Sequence, residues 1–81
     1  MNGQQKRLEE LELIFRQVLN TDTLSLSETS TPDDIPAWDS LNNAVLLAEI
    51  QNHFKVRFSL RDIMQIESVG DICSLLEQLD A

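Results

Sequence analysis

Apolar residues in this chain fall at helical spacing in three places, and no segment reads convincingly as part of a sheet. In the first place Leu8, Leu11, Ile14, Phe15, Val18 and Leu19 recur at three- and four-residue steps, leaving Glu9, Glu10, Glu12 and Arg16 on the wet side. In the second, Leu46, Leu47, Ile50 and Phe54 share one helical face. In the third, Val69, Ile72, Leu75, Leu76 and Leu79 form the stripe. The short string KVRF, residues 55–58, has the alternation of a short extended piece. Two strings that follow it, Ser59-Leu60-Arg61-Asp62 and Ser68-Val69-Gly70-Asp71, fit the capping box, in which a serine and an acid three residues on satisfy free helix amides reciprocally. The pattern predicts an all-α fold, a small four-helix bundle in a single domain over residues 1–81. Its helices run about 4–19, 40–54, 59–66 and 68–80, the third short.

The first connection is the odd part. Residues 20–39, NTDTLSLSETSTPDDIPAWD, are rich in Ser, Thr, Asp and Pro, which favour turns over helix. A loop of this length is functional or disordered as a rule. Leu24, Leu26, Ile35 and Trp38 argue for order, since each can pin the loop to the helices. Asp33-Asp34 after Pro32 reads as turn chemistry, with a cation site as the lesser alternative.

Composition closes off several functions. A net charge of −8 sets the chain against nucleic acid, whose phosphates would repel it, and steers it towards basic surfaces of other proteins. No apolar run approaches the roughly 20 residues of a membrane span. One cysteine allows no internal disulfide and fits a reducing compartment, the cytoplasm. Cys73 lies on the apolar stripe of the last helix and reads as a small core residue. His53 has no second His or Cys with which to hold a metal.

The second helix raises the functional question. It begins at Trp38-Asp39-Ser40-Leu41, and beyond its core stripe it has a second, less bulky apolar face of Leu41, Ala44, Val45 and Ala48. A small core does not need two such faces on one helix. If Asp39 caps the helix, Ser40 falls on the first turn with its oxygen free. The partial positive charge and unpaired amides there suit a phosphate ester. Nothing nearby would make Ser40 a nucleophile, because the single histidine, His53, is thirteen residues along the helix, roughly 20 Å away. Ser40 therefore reads as an acceptor of a modification, and the chain as having no catalytic activity of its own.

With these residues in view, the chain resembles the acyl carrier proteins and the related peptidyl carrier domains. The likeness covers almost the whole length: an amphipathic first helix, a long loop, Asp39-Ser40-Leu41 opening the second helix, and a short third helix before the last. The string WDSLNNAVLLAEIQNHFKVRFSLRDIMQIESVGDICSLLEQL is similar to members with Trp before Asp-Ser-Leu. The resemblance implies that Ser40 holds 4′-phosphopantetheine, transferred from coenzyme A by a separate phosphopantetheinyl transferase. The arm's thiol, and not Cys73, would bear an acyl or aminoacyl thioester. Asp39 would position the site and its metal within the modifying enzyme. Leu41, Ala44, Val45 and Ala48 would be the face that partners read, namely a loading enzyme and a downstream synthase or transferase. The core between Leu46, Ile50 and Ile63 would shelter a short acyl chain, and the protein would act as a monomer. The alternative reading is an unmodified helical adaptor that binds a partner through the second helix.

The match departs from the family in charge. From Ser40 to Arg61 the one acid, Glu49, meets Lys55, Arg57 and Arg61, leaving +2 on a segment of a chain whose total is −8. Many carriers of fatty-acid synthesis line this helix with acids. Here Asn42, Asn43, Gln51, Asn52 and His53 stand in their place. Over a screening length of about 8 Å, local charge outweighs the distant total. The expectation is a dedicated lipid, polyketide or other secondary-metabolite pathway with less basic partners; the bland alternative is a solvated turn. Met64 reads equally as core or partner-facing. Trp38 reads as a brace over the start of the second helix, with partner contact as a second role.

Overall fold

The computed structural model describes residues 3–79, which form α1 (Gly3–Leu19), α2 (Ser40–Phe54), α3 (Leu60–Met64) and α4 (Val69–Gln78). Among the described residues there is no strand, and no helix is long and apolar enough to cross a membrane. The fold is a small all-α bundle in which α1 packs on both α2 and α4. Leu11, Ile14, Phe15 and Leu19 of α1 meet Leu46, Leu47 and Ile50 of α2 and Val69, Ile72, Cys73, Leu75 and Leu76 of α4 in one core. Burying each large side chain of this kind stabilises the fold by roughly 1.5–3 kcal/mol. By contrast α3 buries no residue fully; Ile63 alone in it packs against the core, while Leu60 and Met64 are each 73% exposed. It is shorter than the 59–66 expected, because Gln65 ends it with a tight turn onto Asp62 and Ile63.

Both capping boxes form. Ser59 Oγ accepts from Asp62 N–H and Ser68 Oγ from Asp71 N–H, and each aspartate accepts in return from its serine's amide. At their far ends α1 and α2 stop on left-handed residues, Asn20 at φ 55° and Lys55 at φ 59°. In each case the next amide, of Thr21 or Val56, turns back to a carbonyl five residues earlier, Arg16 or Gln51, at 3.0 Å.

The long loop is ordered by its apolar residues and by two charged ones. Leu26, Ile35 and Trp38 are buried, and Trp38 meets Phe15 edge-on with ring centres 5.0 Å apart at 87°. Glu12 and Arg16, which the pattern sets on the wet side of α1, act on the loop backbone instead. Arg16 Nε donates to Leu24 O at 2.8 Å, Glu12 Oε2 accepts from Leu26 N–H at 2.8 Å, and the two side chains pair at 3.3 Å. Further along, the loop closes the start of α4. Val69 N–H donates to Ser30 O at 2.9 Å and Gly70 N–H to Glu28 O at 2.8 Å. This approach requires Gly70, since a Cβ there would stand 2.9 Å from Glu28 O.

Candidate functional site

The loop delivers its last three residues to the start of α2, where every one of them is tied to the first turn. Ala37 O accepts from Asn42 Nδ2 at 2.8 Å, and Trp38 Nε1 donates to Asn43 Oδ1 at 2.8 Å. Asp39 is the cap: its Oδ1 accepts from Asn42 N–H at 2.9 Å, and its carbonyl accepts from Asn43 N–H at 2.8 Å. Ser40 sits inside this frame as the first helical residue. It is exposed, and its hydroxyl makes no hydrogen bond with any described residue. The amides of Ser40 and Leu41 likewise have no protein acceptor. At α4 the equivalent amides are closed off by Ser30 and Glu28. An open hydroxyl beside two open amides at the positive end of a 15-residue helix fits a phosphate ester.

The single histidine is not beside Ser40. His53 lies at the other end of α2, with Nε2 2.8 Å from Glu10 Oε1 on α1. It ties the two helices together. Among the described residues no group of three or more His, Cys, Asp or Glu side chains is arranged to hold a metal ion.

The second apolar face of α2 is turned outwards. Leu41 is 76% and Val45 45% exposed, with Ala44 and Ala48 exposed on the same stripe. The exposure of Met64 places it on the surface. Lys55, Arg57 and Arg61 are exposed too, with no ion pair to a described residue. The polar residues of α2 are mostly not a docking face, however. Asn42 and Asn43 hold the loop, His53 holds α1, and Gln51 Oε1 accepts from Phe58 N–H at 2.7 Å to fix the turn into α3. Asn52 alone of the five makes no such bond.

Cys73 is fully buried, and burial pushes its thiol from 9.0 up to about 11; the Glu28 carboxylate adds to the rise and Arg7 opposes it. A cavity of about 190 Å³ lies between α3 and α4, walled in part by Gln65, Ile66, Ser74 and Leu75. A shallower depression of about 470 Å³ lies on α1 beside Leu13, Arg16 and Gln17. Neither reaches Leu46 or Ile50, which are sealed in the core at 1% and 0% exposure. Trp38, at 4% exposure, has little surface left for a partner.

Comparison with known proteins gives a consistent picture. A family profile described as the phosphopantetheine attachment site matches residues 9–76. The chain is similar to the solution structure of a holo acyl carrier protein from Geobacter metallireducens, with 35% identity and a TM-score of 0.83 over 89% of this chain and 83% of that one. It is also similar to a candidate acyl carrier protein from Mycobacterium tuberculosis, with 25% identity and a TM-score of 0.80 over 90% of this chain and 97% of that one. No curated protein sequence matches significantly.

Proposed function

The chain belongs to the acyl carrier protein family, whose cofactor is 4′-phosphopantetheine, and on that premise we propose that Ser40 is the residue to which the arm is esterified. One observation supports this above all: Ser40 presents a hydroxyl with no hydrogen bond, next to two amides with no acceptor, at a helix start that the protein otherwise braces completely. In the transfer, Ser40 Oγ forms its bond to phosphorus as the phosphoanhydride of coenzyme A breaks. Adenosine 3′,5′-bisphosphate leaves, and the hydroxyl proton passes to a base of the transferase. The arm supplies a terminal thiol for acyl or aminoacyl cargo, which tethering holds at high effective concentration near each partner enzyme.

On this reading Asp39 has two tasks. It caps α2, and within the modifying enzyme its carboxylate lies beside the hydroxyl that reacts. Leu41, Ala44, Val45 and Ala48 form the face that the transferase, the loading enzyme and later synthases read. Because α2 lacks the acids of many fatty-acid carriers and Lys55, Arg57 and Arg61 follow it with positive charge, the partners belong to a dedicated lipid, polyketide or secondary-metabolite pathway. Carriers of this family are in general not catalysts.

Intact mass after incubation with coenzyme A and a broad-specificity phosphopantetheinyl transferase tests the assignment. The chain is expected to gain one phosphopantetheine, and Ser40→Ala none. A Ser40→Ala chain that still gains the group, or an unsubstituted chain that does not, refutes it. The pathway reading is tested separately: tight, salt-sensitive docking to a housekeeping fatty-acid ketosynthase, equal to that of an ordinary acidic carrier, would count against it.

A further inference from the structure

A polar side chain bonded across a loop-to-helix junction does more than cap the helix; it sets the direction from which the loop arrives. Four hydrogen bonds do this around Ser40, and Ser40 makes none of them. Two belong to the Asp39 cap. The other two come from adjacent amide side chains: Asn42 reaches back to the carbonyl of residue 37 and Asn43 to the indole of residue 38. The indole in turn is held edge-on by Phe15, which is 0% exposed in the C-terminal half of α1. A continuous line of contacts thus runs from the core of the bundle, through Trp38 and Asn43, to the turn that bears the free hydroxyl.

We infer that Asn42 and Asn43, with Trp38, are positioning residues for modification of Ser40. They hold the acceptor oxygen in one place, so that a transferase docked on the face of Leu41 and Val45 finds it already aligned. The inference rests on Ser40 being the acceptor. None of the three residues needs to touch coenzyme A. Reacting atoms must meet within a few tenths of an ångström, and misplacement by about 1 Å can cost on the order of 100-fold in rate. The brace removes that misplacement before the partner arrives.

The experiment is single-turnover transfer from coenzyme A by a phosphopantetheinyl transferase in excess, giving a saturating rate and a half-saturating concentration for each variant. Asn43→Leu removes the acceptor from Trp38 at similar volume. Its saturating rate is expected to fall about tenfold, with half-saturation within about twofold, since the docking face is intact. A merely structural role gives the opposite split. Partial unfolding lowers the competent fraction and raises half-saturation, while the saturating rate stands because binding draws the chain back to the folded form. Trp38→Phe keeps a ring against Phe15 and removes the donor. If both act through one bond, the double variant is no slower than the slower single variant.

A readout independent of transfer comes from ¹⁵N relaxation of the unmodified chain. The Ser40 and Leu41 amides are expected to drop from rigid order parameters of about 0.85 towards about 0.6 in Asn43→Leu. Should Asn43→Leu fail to fold, Asn42→Leu, which breaks the bond to Ala37 O on the more exposed side of the turn, takes its place. Unchanged saturating rates and unchanged order parameters overturn the inference, as do effects that multiply in the double variant. Failure of the unsubstituted chain to accept the group is a different result. It removes Ser40 as acceptor, and the relaxation data then show only whether the brace exists.

Discussion

Raising the pH through the range of a buried thiol should destabilise this protein in a way that one substitution abolishes. Cys73 lies at 0% exposure on α4, and burial lifts its pKa from 9.0 to about 11, helped by the Glu28 carboxylate and opposed by Arg7. The protonated thiol is therefore favoured more in the folded chain than in the unfolded one. Its contribution is fully present below pH 9 and is lost as pH rises to about 11. At about 1.36 kcal/mol for each tenfold in proton affinity, the interval from 9.0 to about 11 corresponds to roughly 2–3 kcal/mol. The chain suits the measurement because it has no Tyr, and the variant shares every other ionisable group. Urea unfolding at steps from pH 8 to 11, for the unsubstituted chain and Cys73→Ala, isolates the effect. The variant begins lower by about 1–2 kcal/mol for the lost sulfur, and the gap should close and then reverse as pH approaches about 11. Curves that remain parallel to pH 11 refute the burial argument. The same shift has a practical corollary: at pH 8 a thiol reagent should label the holo chain once and quickly, at the arm, while the apo chain reacts only as fast as it opens.

Three further perturbations test the local arguments. Gly70→Ala places a methyl 2.9 Å from Glu28 O, which should push the loop off the start of α4 and cost about 1–2 kcal/mol in urea unfolding, despite alanine's better helix propensity; unchanged stability would show that the loop yields freely. Lys55→Gly relieves a left-handed residue at φ 59° and should add about 0.5–1 kcal/mol relative to Lys55→Ala, measured in the same assay; equal variants would mean that the αL end of α2 is not strained. Ser40→Asp should exceed Ser40→Ala in stability by about 0.3–1 kcal/mol at low salt, and the difference should shrink in 1 M NaCl. No difference would show that the amides at the start of α2 do not favour negative charge.

The parts of the fold legible in the sequence are those set by local rules. Serine and aspartate at a spacing of three mark the starts of α3 and α4 because the reciprocal bonds involve only neighbouring backbone. The stripes of α1, α2 and α4 mark the core because side-chain direction follows the helical period. Leu26, Ile35 and Trp38 show that the loop is anchored, and Asp39 followed by Ser40 marks the cap and first residue of α2. What stays hidden depends on partners distant in sequence. Nothing local says that Glu12 would reach Leu26 N–H, or that Gly70 must admit a carbonyl from residue 28. Asn42, Asn43, Gln51 and His53 look like a polar docking surface because the residue types suit solvent as well as they suit a loop carbonyl, an indole, an amide or a carboxylate. An amide side chain has both donor and acceptor atoms, so its type alone does not reveal which neighbour it will serve.

That reassignment changes what the outside of α2 can offer a partner. With those four side chains committed to the protein's own loops and helices, the outward surface reduces to the apolar stripe of Leu41, Ala44, Val45 and Ala48, the exposed Leu60 and Met64 of α3, Glu49 and Asn52, and the unpaired cations at 55, 57 and 61. A surface with so few directional polar groups recognises mainly by shape and burial. Its charges act on encounter, and they act weakly, because each is exposed and screened. The polar chemistry is instead spent within the molecule, at the frame around Ser40. On the proposed reading a carrier that visits several enzymes gains from this division: an undirected face tolerates different partners, while the frame presents the Ser40 hydroxyl to the transferase in one geometry. Adding contacts to the face would bind one partner more tightly and slow its release, whereas loosening the frame would harm transfer without touching any partner.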